Sequence, residues 1–128
     1  MAVTIPATIS VDGQTVPVTA IGAKAFAKEK WLITKVSIGK NVKTIGTDAF
    51  QNCIGIQKIT GGKGIVSIGK NAFKGCKRLT SITLYGKVRK IGKQAFSGCS
   101  ALKKITLKTK LLTKNNVGAN AFKGISSK

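Results

Sequence analysis

The stretch SITLYGKVRKIGKQAFSGCSALKKITL, residues 81–107, opens on SITL and closes on KITL, so its two ends are near copies set 23 residues apart. Ile82 and Leu84 alternate with polar residues as a half-buried strand does, and Ile105 and Leu107 repeat the alternation. Between them lies a second short β-branched run from Val88 to Ile91, followed by Gly92 and then by Ala95, Phe96 and Cys99. That last segment has helix-like spacing but room for only one or two turns, which predicts a short α or 3₁₀ turn.

The same text extends in both directions. All five phenylalanines fall in one motif, [IV]-G-x-x-A-F, at Ile21–Phe26, Ile45–Phe50, Ile68–Phe73, Ile91–Phe96 and Val117–Phe122. Successive phenylalanines are 24, 23, 23 and 26 residues apart. Ile33, Ile56, Leu79 and Leu102 form a second series at intervals of 23, and Val36, Ile59, Ile82 and Ile105 follow three residues behind them. A fixed period of this length predicts a solenoid in which each coil buries its apolar row only by stacking on the next. The expected architecture is mainly β, with one short helical turn per coil of about 23 residues and every strand hydrogen-bonded to its counterparts above and below. Four to five coils at about 4.8 Å each give a rod of roughly 20–25 Å.

The whole chain, 1–128, reads as a single domain, with 1–20 as N-terminal cap strands and 21–128 as repeats. In ATISVDGQTVPV, two strands around Asp12-Gly13 predict a hairpin that covers the first coil. The last residues, KGISSK, offer no comparable cap, so exposed strand edges there could stack end to end. Gly22, Gly46, Gly69, Gly92 and Gly118 stand where strand passes into turn, a place that demands either φ > 0 or close backbone approach. Gly61, Gly62 and Gly64 in TGGKGI lack the text of a phosphate loop and read as a tight turn.

Composition narrows the function. There are 23 Lys and Arg against 3 acidic residues, a formal charge of +20, and only Arg78 and Arg89 are arginine. Such a chain attracts polyanions through a diffuse, salt-sensitive field and is poor in forked, bidentate contacts. Histidine is absent, and Asp12, Glu29 and Asp48 are isolated, so no nucleophile and base or paired carboxylates can be assembled; a non-enzymatic role and no cofactor are expected. Cys53, Cys76 and Cys99 lie in one column at 23-residue spacing. Their spacing is not that of a zinc site, and the plain reading is three small hydrophobes beside the phenylalanines, although neighbouring coils bring them within reach of a disulfide. No apolar run is long enough to span a bilayer, and MAVTIPATISVDG lacks the basic and apolar regions of an export signal, so the chain is expected to be cytoplasmic or a piece of a longer precursor.

The outward positions of the first strand carry the candidate binding residues. One column is Ser37, Thr60, Thr83 and Thr106; its neighbour is Lys35, Lys58, Ser81 and Lys104; a third, on the following turn, is Lys40, Lys63, Lys87 and Lys110. A solvated face whose lysines discourage edge-to-edge pairing would look the same, but a cationic strip for an anionic polysaccharide or an acidic protein is the functional reading. Nucleic acid is disfavoured, because arginine is scarce and only Trp31 and Tyr85 remain as exposed aromatics for stacking.

The stretch quoted at the outset, with I-G-x-x-A-F-x-x-C-x-x-L-x-x-I-x-L recurring through nearly the whole chain, resembles the BspA-like leucine-rich repeats of bacterial surface proteins. The outer copies depart from it, with Glu29 and Ile125 at the cysteine position. NNVGANAFKGI and the lysine enrichment resemble versions in large secreted proteins of anaerobic, mostly Gram-positive gut bacteria. The resemblance implies a leucine-rich-repeat solenoid, extracellular or wall-associated as part of a longer precursor, that binds a host or bacterial surface protein or an anionic polysaccharide. A structural spacer that self-associates end to end is the alternative.

Overall fold

The computed structural model describes residues 1–27 and 31–126. Eleven short strands appear there: β1 (Ala2–Ile5), β2 (Thr8–Val11), β3 (Gln14–Pro17), β4 (Ala20–Ile21), β5 (Lys35–Ile38), β6 (Thr44–Ile45), β7 (Lys58–Gly61), β8 (Ser67–Ile68), β9 (Ser81–Leu84), β10 (Lys90–Ile91) and β11 (Lys104–Leu107). Each full coil supplies one four-residue strand from the I-x-L alternation and one two-residue strand from the [IV]-G motif. The two sets stack as separate sides of a β-solenoid. Ile21, Ile45, Ile68 and Ile91 lie in one register through β4, β6, β8 and β10, and a bridge from Ile91 to Val117 adds a fifth rung.

The [IV]-G-x-x-A-F segment forms the third side. The expected helical turn is built as overlapping turns closed by i+3 hydrogen bonds, such as Ala49 N–H to Gly46 C=O and Gln51 N–H to Asp48 C=O, both 3.2 Å. Between them the chain enters the left-handed region, with φ of 58–59° at Asp48, Asn71 and Gln94, which interrupts any helix. Among the described residues the one helical element is a 3₁₀ turn at Lys114–Asn116, inside the longer last coil. Coil joins coil on this side through three lines of backbone bonds. One runs from Lys24 N–H to Thr47 C=O, from Asp48 to Lys70, from Asn71 to Lys93 and from Gln94 to Ala119; parallel lines start at Phe26 and Asn52.

Down the centre runs a stack of phenyl rings. Phe26, Phe50, Phe73, Phe96 and Phe122 follow one another with centroids 5.0–5.3 Å apart and planes within 2–9° of parallel. The middle three are fully buried, whereas Phe26 and Phe122, at the two ends, are half-buried. Ile33, Ile56, Leu79 and Leu102 are each 0% exposed and fill the next row. Of the two uses open to the motif glycines, close approach is the one found: a Cβ on Gly46 or Gly69 would lie 2.7 Å from backbone atoms of the preceding coil. Their φ angles are not positive, and the left-handed positions come two residues later.

Cys53, Cys76 and Cys99 are buried beside the rings, and each thiol points at the carbonyl of a phenylalanine one coil back: Phe26, Phe50 and Phe73 at 3.1, 3.3 and 3.1 Å. The thiol of Cys99 and burial together hold Cys76 well above the usual thiol range. Position 29, expected in this column, lies outside the described residues.

At the N-terminus β1 pairs in parallel with β5 and is the first rung of the stack, while β2 and β3 form the expected hairpin, with Asp12 and Gly13 at φ 51° and 79°. Every residue of the hairpin strands is exposed, so β1 stacks on the first coil and the hairpin stands clear of it.

Two outcomes test this packing. Phe73→Ala should cost about 3–5 kcal/mol in urea unfolding, because its cavity is bounded by rigid rings above and below. With native protein at pH 8, iodoacetamide should leave the three thiols intact over hours, and unfolding in guanidinium should make them reactive within minutes, on the order of a hundredfold faster.

Candidate ligand-binding face

The four-residue strands do not form the unbroken ladder expected of them. β1, β5 and β7 make one parallel sheet and β9 and β11 another, with no ladder between β7 and β9. At corresponding points elsewhere Gly39 N–H bonds Ile5 C=O at 2.7 Å, Gly62 N–H bonds Ile38 C=O at 3.0 Å and Lys108 N–H bonds Leu84 C=O at 2.8 Å. The equivalent bond, from Tyr85 N–H to Gly61 C=O, is not made. Parallel strands use alternate residues for alternate neighbours. The backbone groups facing each other across the gap are therefore those of Ile59 and Gly61 on β7, and of Ser81, Thr83 and Tyr85 on β9.

The break falls at a pair of glycines, Gly61 and Gly62, and a Cβ on Gly61 would strike the Ile38 carbonyl. Register pairs Ile38 with Gly61, and one coil further on the same column holds Leu84; Ile38 and Leu84 are buried, whereas Gly61 brings no side chain to the core. Gly61 and Gly62 both have positive φ, 77° and 79°, and turn the chain away at the end of β7. Nothing then fills the space beside Leu84. A notch of about 230 Å³ results, floored by Ile38, Ile65, Leu84 and Val88 and reaching Phe73. Lys58, Thr60, Ser81, Thr83 and Tyr85 stand around it. TGGKGI is thus more than the tight turn expected of it.

The sequence-derived residues divide around this notch. Lys58, Thr60 and Thr83 line it. Lys35 pairs with Lys58 in register, and Lys104 and Thr106 pair with Ser81 and Thr83, so these flank the notch one rung away. Thr60 donates its hydroxyl hydrogen to the Ser37 hydroxyl at 3.2 Å. The third column is stepped: Lys40 and Lys63 share a position, but Gly86 stands 23 residues beyond Lys63, and Lys87 and Lys110 lie one residue further along. All seven of these lysines are exposed. The proposed strip is therefore two pairs of turn lysines beside three strand lysines. Sequence reasoning passed over Lys108, whose ammonium lies 5.4 Å from the centre of the Tyr85 ring. Trp31 is exposed as expected, with the Arg78 guanidinium 5.2 Å from its ring centre. Among the described residues no group of three or more His, Cys, Asp or Glu could hold a metal ion.

A stacked β-solenoid with a short strand, a [IV]-G corner and an A-F turn in each coil defines a leucine-rich-repeat protein. The pattern described as BspA type leucine rich repeat region matches residues 19–128 in 6 copies, and the chain belongs to that family. Among solved structures it is similar to a leucine-rich repeat protein from Bacteroides capillosus, with 32% identity over 83% of this chain and 75% of that one and a TM-score of 0.73. The Treponema pallidum leucine-rich repeat protein is 28% identical, with a TM-score of 0.69 over 84% of this chain and 52% of its own. The pneumococcal vaccine antigen PcpA is 25% identical, with a TM-score of 0.77 over 97% of this chain but only 32% of its own length. No curated protein matches the sequence.

Amide exchange reads the broken ladder directly. Thr83 and Tyr85 should exchange at least about tenfold faster than Lys108 and Gly62 in native protein, since only the latter pair is hydrogen-bonded between coils.

Proposed function

We propose that the chain is a non-enzymatic binding module of a bacterial surface protein, presenting the lysine and threonine face of β5, β7, β9 and β11 to an anionic polysaccharide or an acidic protein. The observation that carries this reading is the coincidence of Lys35, Lys58 and Lys104 on a rigid parallel strand face in a chain of charge +20. Surface location is supported by the family and by the likeness to PcpA, a vaccine antigen. Such a field gives steep salt dependence.

The test separates the face from bulk charge. Lys35→Gln, Lys58→Gln and Lys104→Gln together should elute from a heparin column at clearly lower salt than wild type. The same loss of charge on the turn side, by Lys24→Gln, Lys70→Gln and Lys93→Gln, should shift elution by less than about half as much. Equal shifts would reduce the face to a generic cation.

A second reading, an end-to-end structural unit, is favoured by one observation: the phenyl stack ends in half-buried rings at both Phe26 and Phe122. Light scattering across a range of concentrations distinguishes a monomeric binder from a growing stack.

A further inference from the structure

We propose that the notch between β7 and β9 is a subsite for the acetamido group of an acidic, N-acetylated polysaccharide. This rests on the reading of the strand face as a cationic binding surface and adds the chemistry of one group on the ligand. The two edges of the notch offer what a missing rung would have used: carbonyls and N–H groups of Ile59 and Gly61 on one side, and of Ser81 and Thr83 on the other. Leaving such groups without partners is costly unless something polar fills the gap. An amide suits either edge: its N–H can donate to a β7 carbonyl or its oxygen can accept from a β9 N–H, taking up a group that the missing rung leaves.

The floor selects which kind of amide. Ile38, Ile65, Leu84 and Val88 close the notch from below, so a group entering it must end there in something apolar. A pendant acetamido group ends in a methyl. A peptide amide instead continues in both directions and would have to part the strands along their length. The volume of about 230 Å³ also suits one sugar-sized group rather than an added strand. Around the mouth the hydroxyls of Thr60, Ser81 and Thr83 are placed for sugar hydroxyls, and Tyr85 offers an aromatic face. Lys58 stands at the rim, with Lys35 and Lys104 one rung away on either side, and neither Asp12 nor Asp48, the acidic residues among those described, lines the notch. Anionic groups flanking the amide are therefore favoured by the surrounding charge.

The test uses the full chain and two octasaccharides: N-acetylheparosan, which alternates uronate with N-acetylglucosamine, and N-sulfoheparosan, which carries more charge and no acetamido group. Calorimetry with Ser81→Trp, which narrows the mouth, should show about tenfold weaker binding of the N-acetyl ligand, a change of about 1.4 kcal/mol, and less than about twofold for the N-sulfo ligand. Thr83→Val, nearly the same in size, should weaken only the N-acetyl ligand. In wild type the amide resonances of Thr83 and Tyr85 should shift with the N-acetyl ligand and stay in place with the other. Equal weakening of both ligands, or notch amides that never move, overturns the subsite while leaving the cationic face intact. Absence of binding by either ligand sinks both. An acidic peptide that displaces the N-acetyl ligand from the same amides would replace the sugar as the occupant and overturn the assignment.

Discussion

Parallel stacking of one phenyl ring on the next, every coil, is the constraint from which the rest of the molecule follows. Rings 5.0–5.3 Å apart and within 2–9° of parallel admit only coils that lie almost directly over one another, at the spacing that strands need for hydrogen bonding. That spacing is why glycine stands at positions 46 and 69, where a Cβ would strike backbone of the coil below. It is also why small thiols, rather than larger groups, sit between the rings and the preceding carbonyls. Stability is then a matter of neighbour contacts repeated, as expected of a quasi-one-dimensional protein.

Against that rigid background the notch is a local event. The [IV]-G side runs through it in register from Ile45 to Ile68 to Ile91, and so does the ring stack from Phe50 to Phe73 to Phe96. Only the strand side opens, and it opens at the coil that carries Gly61 and Gly62. A pocket opened where two glycines turn the chain of a stiff scaffold needs no induced closing, and its walls are already held by the coils on both sides. The lysines beside it sit on the same scaffold, so pocket and charge keep a fixed relation.

The sequence showed the solenoid plainly because repetition amplifies a weak local signal: five copies of [IV]-G-x-x-A-F leave little freedom in how the apolar rows meet. It showed less at places where one coil differs from the others. Gly61 could have been noticed by setting Ile38, Gly61 and Leu84 side by side, since a glycine between two large aliphatics in one column announces a break in the repeat. The one-residue step between Lys63 and Lys87 was legible too, in the 24-residue interval that separates them. The turn conformation was harder to foresee. Helix-like spacing of Ala, Phe and Cys reports only that these side chains point inward, and left-handed φ at Asp48, Asn71 and Gln94 achieves the same direction without a helix. Partner choice is least legible, because lysine on a strand face serves solubility and recognition equally well.

The three lines of backbone bonds on the turn side have a further effect. In all of them the amide hydrogen points toward the C-terminal coil, so the peptide units from Lys24 to Ala119, and those in the two neighbouring lines, are aligned head to tail. The rod thereby acquires along one edge a macrodipole of the kind usually found in an α-helix, with its positive pole at the last coil, where the N–H groups of Asn120, Phe122 and Gly124 make no coil-to-coil bond among the described residues. The negative pole is at the first coil. On the [IV]-G side the line from Gly46 N–H to Ile21 C=O, repeated at Gly69, Gly92 and Gly118, points the other way, so the two edges of one rod carry opposed dipoles.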